Sequence, residues 1–77
     1  GITVNAISPG ATETALFRQS CPERSEDELR LLKSIPMGRF AQTDEIASAV
    51  AFLLSDAAGY ITGQELIIDG GSSLTGR

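Results

Sequence analysis

Histidine is absent from this 77-residue sequence, and cysteine occurs once, at Cys21. A single cysteine cannot form an internal disulfide, and without histidine the chain lacks the ligands that usually complete a zinc site. The composition therefore predicts no metal site. We interpret Cys21 as an inert thiol in a loop.

Positive charge is also scarce, because six lysine and arginine residues stand against ten acidic ones and leave a net charge of −4. Nucleic acids and anionic membrane surfaces bind clustered Lys and Arg, so the charge argues against both as partners. No apolar run approaches the roughly 20 residues that cross a bilayer, and no signal-peptide pattern opens the chain. We expect a cytoplasmic protein without a nucleic-acid or membrane partner.

The first residues are typical of a β-strand that is buried on both faces. Residues 2–7 are mostly β-branched or apolar. The run stops at Pro9-Gly10, where proline removes a backbone donor and glycine frees the backbone angles. We predict a nearly fully buried strand over residues 2–7 and a short helical turn over residues 14–19.

Two longer helices are predicted between residues 25 and 55. Ser25 and Glu28 have the spacing of a capping box and lead into a leucine-rich run that Pro36 ends. Thr43 is the predicted N-cap of a helix over residues 44–55, whose acidic first turn suits the helix dipole. Phe52 falls on the polar side of this helix, so it is either an isolated exposed side chain or a contact with another subunit.

A second apolar run, over residues 64–68, follows a turn bracketed by glycines and ends at Asp69. Two apolar strands separated by helices indicate parallel pairing, because a tight turn cannot join parallel strands. The pattern predicts an α/β fold. A chain of this length permits one small domain at most.

Several short motifs occur in one order along the chain: VNAISPGATET, PMGR, DEIA, YITGQ and DGG. With these motifs the sequence resembles the C-terminal part of a short-chain dehydrogenase/reductase. The resemblance implies the C-terminal βαβ portion of a doubly wound, Rossmann-like parallel sheet, with residues 1–77 as a fragment of a single domain. Because no initiator Met precedes Gly1, we expect a truncated start.

The function implied by the resemblance is that of an NAD- or NADP-dependent oxidoreductase that interconverts a secondary alcohol and a carbonyl. The substrate would be a small molecule, and the complete enzyme would be a homodimer or homotetramer with Phe52 at an interface. The sequence is similar both to 3-ketoacyl-carrier-protein reductases and to sugar or steroid dehydrogenases. The substrate and the choice between NAD and NADP therefore stay open.

The resemblance also implies that Pro9 and Gly10 shape a loop beside the nicotinamide ring. Thr12 would offer main-chain groups to the carboxamide, and Thr14 would offer its hydroxyl. A neutral amide needs paired donors and acceptors so that one ring face meets the substrate. The alternative is structural: Pro-Gly ends a strand, and Thr12 or Thr14 caps the next helix.

Candidate substrate contacts are Leu16, Phe17 and Met37, which fall in or beside the segment that folds over the substrate in such enzymes. Their apolar side chains would suit a substrate wall, and each could equally belong to the core.

Three polar residues are predicted to have structural roles. A buried Asn5 would bridge to a neighbouring element, and Asp69 would bond turn amides. Arg39 would either bond carbonyls at a helix end or pair with Glu45 or Asp44.

Two motifs that the chemistry requires are absent. The glycine-rich phosphate loop does not occur, and the only tyrosine, Tyr60, is followed four residues later by Gln64 instead of lysine. No catalytic residue is therefore assigned, and we expect no activity from this polypeptide alone. The competing hypothesis is a non-catalytic dimerisation or docking module derived from the same fold.

Overall fold

The computed structural model describes residues 1–75, which form two parallel strands and four helices. The elements in chain order are β1 (Ala6–Pro9), α1 (Ala15–Ser20), α2 (Glu26–Ser34), α3 (Thr43–Leu54), a 3-10 turn (Asp56–Ala58), β2 (Glu65–Ile68) and α4 (Ser72–Thr75). No helix within the described range is both long and apolar enough to span a bilayer.

Strands β1 and β2 pair in parallel, as the sequence predicts, with Ala6 opposite Glu65 and Pro9 opposite Ile68. The Ala6 N–H donates to the Gln64 carbonyl and the Gly10 N–H donates to the Ile68 carbonyl, each at 2.8 Å. Successive N–H groups of a strand point to opposite sides, so the Pro9 nitrogen faces away from β2. Proline therefore costs this ladder no hydrogen bond, and the pairing extends through Pro9 instead of stopping before it.

The prediction of a buried strand over residues 2–7 is wrong in both its start and its burial. Ile2 and Val4 are 92% and 72% exposed, and β1 begins only at Ala6. Upstream of Ala6 the chain is joined to the turn before β2 by other bonds: Val4 N–H donates to the Thr62 hydroxyl, and Asn5 bonds through its side chain. Within residues 1–75, β1 also has one neighbouring strand only, so its other edge lies open.

Helix α1 begins one residue later than expected, because Thr14 is its N-cap. Helix α2 begins as predicted after Ser25, whose hydroxyl accepts from the Glu28 N–H at 3.1 Å. The Glu28 carboxylate does not complete a capping box with Ser25. It accepts from the Arg24 N–H at 2.8 Å instead.

The N-cap of α3 is Gln42, and the prediction of Thr43 is wrong by one residue. The Glu45 carboxylate reaches back to the Gln42 N–H at 2.8 Å, so the first helical turn already includes Thr43. Phe52 is 47% exposed on this helix, which has no buried residue.

The buried apolar side chains are few: Cys21, Ile35, Phe40 and Ala58. Ile35 and Phe40 flank the loop that follows α2, while Cys21 lies at the C-cap of α1. The cysteine is thus buried in a loop, where its thiol behaves as a small apolar group.

Candidate functional site

The carboxyl ends of β1 and β2 lie side by side and direct their exit loops to the same edge of the sheet. The Gly10 N–H donates to the Ile68 carbonyl at 2.8 Å. A Cβ atom on Gly10 would lie 2.9 Å from the Cβ of Asp69 and 3.0 Å from its Cα. No other residue type fits there without a shift of the backbone, so Gly10 sets the separation of the two loops.

The loop after β1 is held by a parallel bridge to Ala41. The Glu13 N–H donates to the Ala41 carbonyl at 2.8 Å, and the Ala41 N–H donates to the Ala11 carbonyl at 3.0 Å. These bonds come from the residues on either side of Thr12. In a parallel bridge the N–H and C=O of the middle residue point away from the partner, so those of Thr12 point away from Ala41.

The two threonine hydroxyls have different local partners. The Thr12 hydroxyl donates to the Gly10 carbonyl at 2.8 Å and caps no helix. The Thr14 hydroxyl accepts from the Phe17 N–H at 2.9 Å, which confirms the helix-capping alternative for Thr14. A hydroxyl that accepts one bond still has its own proton to donate, so the cap leaves Thr14 able to bond a ligand.

The loop after β2 is ordered by Asp69, which bonds turn amides as predicted. Its carboxylate accepts from the Ser73 N–H at 2.9 Å and from the Gly71 N–H at 3.0 Å. These two backbone bonds, the one from Ser73 above all, lower the pKa of Asp69. The carboxylate is thus a fixed structural anion and not a candidate base.

Arg39 pairs with Glu45 in the predicted manner. Its two terminal nitrogens donate to the two carboxylate oxygens, each at 2.9 Å. The hydrogen bonds from Arg39, followed by the one from the Gln42 N–H, lower the pKa of Glu45 to about 2. This pair joins the loop before α3 to the first turn of that helix.

A cavity of about 120 Å³ lies between the two exit loops and the segment that follows α2. Its lining is apolar at Ala11, Ile35, Met37, Ala41, Ile68 and Gly70 and charged at Arg39, Glu45 and Asp69. The structure therefore brings Met37 next to the loop after β1. Neither Leu16 nor Phe17 lines this cavity.

Of the other two proposed substrate contacts, Phe17 is half-buried against another aromatic ring and Leu16 is exposed. The Phe17 ring meets the Phe40 ring edge-on, with centroids 5.0 Å apart at 70°. Leu16, the residue before Phe17 in α1, is 76% exposed. The packing alternative thus describes Phe17, whereas Leu16 lies where a ligand or another part of a larger protein could reach it.

Asn5 forms the bridge that was predicted for it. Its side-chain N–H donates to the Ile61 carbonyl at 3.1 Å, and its side-chain oxygen accepts from the Gln64 N–H at 3.0 Å. The amide thereby fixes the turn that leads into β2.

A cluster around Arg18 was missed in the sequence. The guanidinium bonds Glu13 at 2.6 Å and 2.9 Å and Glu28 at 2.8 Å. It also lies over the rings of Phe17 and Phe40. Phe17 is the neighbouring residue, but Glu13, Glu28 and Phe40 lie five, ten and 22 positions from Arg18. No helical or strand periodicity would have grouped them.

Comparison with known proteins assigns this arrangement to a family. Residues 1–73 match the family model described as enoyl-(acyl carrier protein) reductase. The chain belongs to the short-chain dehydrogenase/reductase family, and its parallel strands and helices match Rossmann-fold members of that family.

Three relatives illustrate the match. Acetoacetyl-CoA reductase of Allochromatium vinosum is 48% identical over 73 residues, which are 92% of this chain and 28% of the relative. The crystal structure of a gluconate 5-dehydrogenase from Burkholderia cenocepacia, in complex with NADP and tartrate, is 35% identical with a TM-score of 0.86. It covers 96% of this chain, which spans 29% of that structure. A 4-hydroxyisoleucine dehydrogenase complexed with NADH is 29% identical, with a TM-score of 0.86 over 95% of this chain and 30% of the other. The chain thus spans less than a third of each of these three relatives.

Proposed function

We propose that this chain is the C-terminal part of an NAD- or NADP-dependent oxidoreductase that interconverts a secondary alcohol and a carbonyl on a small molecule in the cytoplasm. In that enzyme residues 9–14 form the nicotinamide-side loop. Residues 15–37 contribute part of the substrate lid. The polypeptide is not active alone, because its sequence contains neither a Tyr-x-x-x-Lys pair nor a glycine-rich phosphate loop.

One observation supports the proposal: the bridge to Ala41 turns the N–H and C=O of Thr12 away from Ala41, in the loop at the carboxyl edge of the sheet. Open α/β sheets bind their ligands at this edge. A carboxamide carries one donor group and one acceptor, and adjacent main-chain groups of one residue complement both. The Thr14 hydroxyl, which its capping role leaves free to donate, adds a second partner for the acceptor of the amide.

The fit of the coenzyme rests also on the space around Gly10. Because Gly10 carries no side chain and lies against Asp69, the loop after β1 can run close to the loop after β2. Pro9 and Gly10 thereby give the loop its shape, and Thr12 and Thr14 give it its polar groups. When bound, NAD(P) supplies or accepts the hydride, and this chain's residues orient the ring that carries it.

The substrate would meet the cavity beside this loop. Met37 lines it and is 64% exposed, so its flexible side chain can adapt to an apolar group. Leu16 offers a second exposed apolar contact. Phe17 anchors helix α1 by packing on Phe40. The bound complexes of two relatives with NADP and with NADH support the coenzyme class and leave the choice between the two open.

An oligomer is the third part of the proposal. Phe52 is a large, half-exposed aromatic side chain on a helix face that is otherwise polar, and aromatic residues of this kind are enriched in interfaces. We place it at the interface of a homodimer or homotetramer.

The test begins with the intact gene that encodes this chain. We expect its reading frame to supply the glycine-rich loop and the Tyr-x-x-x-Lys pair, and its product to bind NADH or NADPH by calorimetry. The Thr12→Val variant, which keeps the main-chain groups, should bind the coenzyme within about three-fold of wild type. The Thr12→Pro variant, which lacks the N–H, should bind at least about ten-fold more weakly.

Circular dichroism melts of both variants control for loss of the fold. An intact protein that melts cooperatively, lacks both motifs and binds neither coenzyme would overturn the proposal. It would favour a non-catalytic docking module instead.

A further inference from the structure

Arg18 is the most highly connected side chain of the described residues. Its Nε and one terminal nitrogen donate to the two oxygens of Glu13, at 2.9 Å and 2.6 Å. Its other terminal nitrogen donates to a Glu28 oxygen at 2.8 Å and to the Cys21 carbonyl at 3.1 Å. Only arginine presents so many donors in one rigid plane.

The surroundings of the guanidinium hold it in this orientation. Its central carbon lies 5.6 Å from the centroid of the Phe17 ring and 5.2 Å from that of Phe40. The Arg18 side chain is 20% exposed, and the Glu28 side chain 15%. The hydrogen bonds from Arg18 lower the pKa of both glutamates, so the cluster is ionised at neutral pH.

The two carboxylates belong to different parts of the site. Glu13 lies in the loop after β1, between Thr12 and Thr14, and Glu28 lies in the first turn of α2. Within residues 1–75, the Arg18–Glu28 bond is the only side-chain hydrogen bond between α1 and α2. The two Arg18–Glu13 bonds are likewise the only hydrogen bonds from α1 to residues 10–13 in that range, and the Phe17 and Arg18 N–H groups bond the last residue of the loop, Thr14.

We propose that Arg18 is a positioning residue that couples the nicotinamide-side loop to the lid helix α2. Through Glu13 it fixes the main chain of Thr12, and through Glu28 it fixes the start of α2. Coenzyme bound at the loop therefore stabilises the lid, and a fixed lid favours the bound coenzyme. This inference rests on the proposed function.

The contacts of Arg18 with Glu13 and with Glu28 can be tested separately in the intact protein, with NADH and NADPH as the probes. Calorimetry gives the coenzyme Kd, and hydrogen–deuterium exchange of residues 26–34 reports the lid. In wild type we expect the tighter-binding coenzyme to slow exchange in these residues.

The Glu13→Gln variant should raise the coenzyme Kd about ten-fold, the loss typical of a charge-assisted bond. The Glu28→Gln variant should lose the slowing of exchange in α2 and, by the same linkage, bind the coenzyme about two- to five-fold more weakly, a smaller loss than in Glu13→Gln. Arg18→Met should show both defects. Arg18→Lys keeps the charge but not the planar guanidinium, so it should retain at most part of the coenzyme affinity and part of the slowing of exchange in α2.

Asp27→Asn is the matched control, because Asp27 lies in the same turn as Glu28 but pairs with the exposed Arg30. It should behave as wild type in both measurements. If wild type binds coenzyme but Glu13→Gln and Glu28→Gln change only the melting temperature, Arg18 is purely structural and the coupling is refuted. If folded wild type binds neither coenzyme, the proposed function fails and the coupling fails with it.

Discussion

Gly10 and Asp69 lie so close that a methyl group on Gly10 would approach the Asp69 Cβ to 2.9 Å. The two residues follow β1 and β2 respectively, and the contact joins the loop assigned to the coenzyme to the loop that α4 follows. The Asp69 carboxylate is itself held by two backbone N–H groups, so it cannot move aside freely. The contact with Asp69 therefore requires glycine at position 10.

The first prediction concerns this contact. Gly10→Ala should destabilise the intact protein by roughly 1–3 kcal/mol, the usual cost of overpacking, and should weaken coenzyme binding because the loop must shift. Denaturant unfolding and calorimetry give the two values. Gly38→Asn is the control, since a Cβ there meets no atom within 4 Å and asparagine tolerates its φ of 72°. Wild-type stability in Gly10→Ala would show that the loops can separate at no cost.

A second prediction addresses the bridge made by Asn5. Asn5→Leu keeps the size of the side chain but leaves the Ile61 carbonyl and the Gln64 N–H without this partner. We expect a loss of roughly 1–3 kcal/mol in the free energy of unfolding. Gln64→Leu removes only a long 3.4 Å side-chain bond to Thr62 and should stay near wild type. Equal stability of the two variants would contradict the bridging role.

A third prediction follows from the lowered pKa of Glu45. In the unfolded chain this carboxyl takes up a proton near its ordinary pKa of 4.5, whereas in the folded state it does so only near a pKa of about 2. Between these values the unfolded state binds more protons, so stability falls as the pH is lowered through this window. Above pH 4.5 the full contribution of the pair is present.

The measurement is the melting temperature from pH 7 down to pH 2 for wild type, Glu45→Gln and Asp44→Asn. Glu45→Gln should melt lower at neutral pH and lose part of the acid dependence, because its side chain does not titrate. Asp44→Asn removes a neighbouring carboxylate outside the Arg39 pair and should keep the acid dependence. An unchanged slope in Glu45→Gln would refute the assignment.

A fourth prediction tests the proposed interface. Phe52→Glu should shift the intact protein to a smaller species in sedimentation equilibrium, because a charge would be buried against the partner. Tyr60→Glu is the control, since it introduces the same charge at an exposed aromatic residue outside α3. It should leave the assembly unchanged. An assembly that survives Phe52→Glu would place the interface elsewhere.

The features predicted correctly from the sequence depend on residues close together in the chain or on a simple need for hydrogen bonds. Ser25 caps the helix that follows it, and Arg39 reaches Glu45 six positions later. Asp69 bonds the amides of its own turn. Asn5 was assigned a bridge because a strand amide must be satisfied, although its partners could not be named.

The features that were missed depend on contacts between distant segments or on competition within one turn. The Arg18 cluster gathers residues from α1, α2 and two loops, and no periodicity predicts it. Gln42 displaced Thr43 as N-cap because the Glu45 carboxylate selects the position three residues before it. The four-residue α4 was not predicted because its sequence, Ser72–Thr75, carries no amphipathic pattern.

The pairing of β1 with β2 also has a consequence for how such a protein can vary. Strand pairing places Ala6 opposite Glu65, so the chain between these residues is a long loop whose ends the sheet holds together. The free-energy cost of closing such a loop rises slowly, by only about 0.6 kcal/mol for each doubling of its length. Insertions or deletions around α1 and α2 would therefore leave the strand register intact. Such changes could reshape the substrate wall while the two strand ends that frame it stay in place.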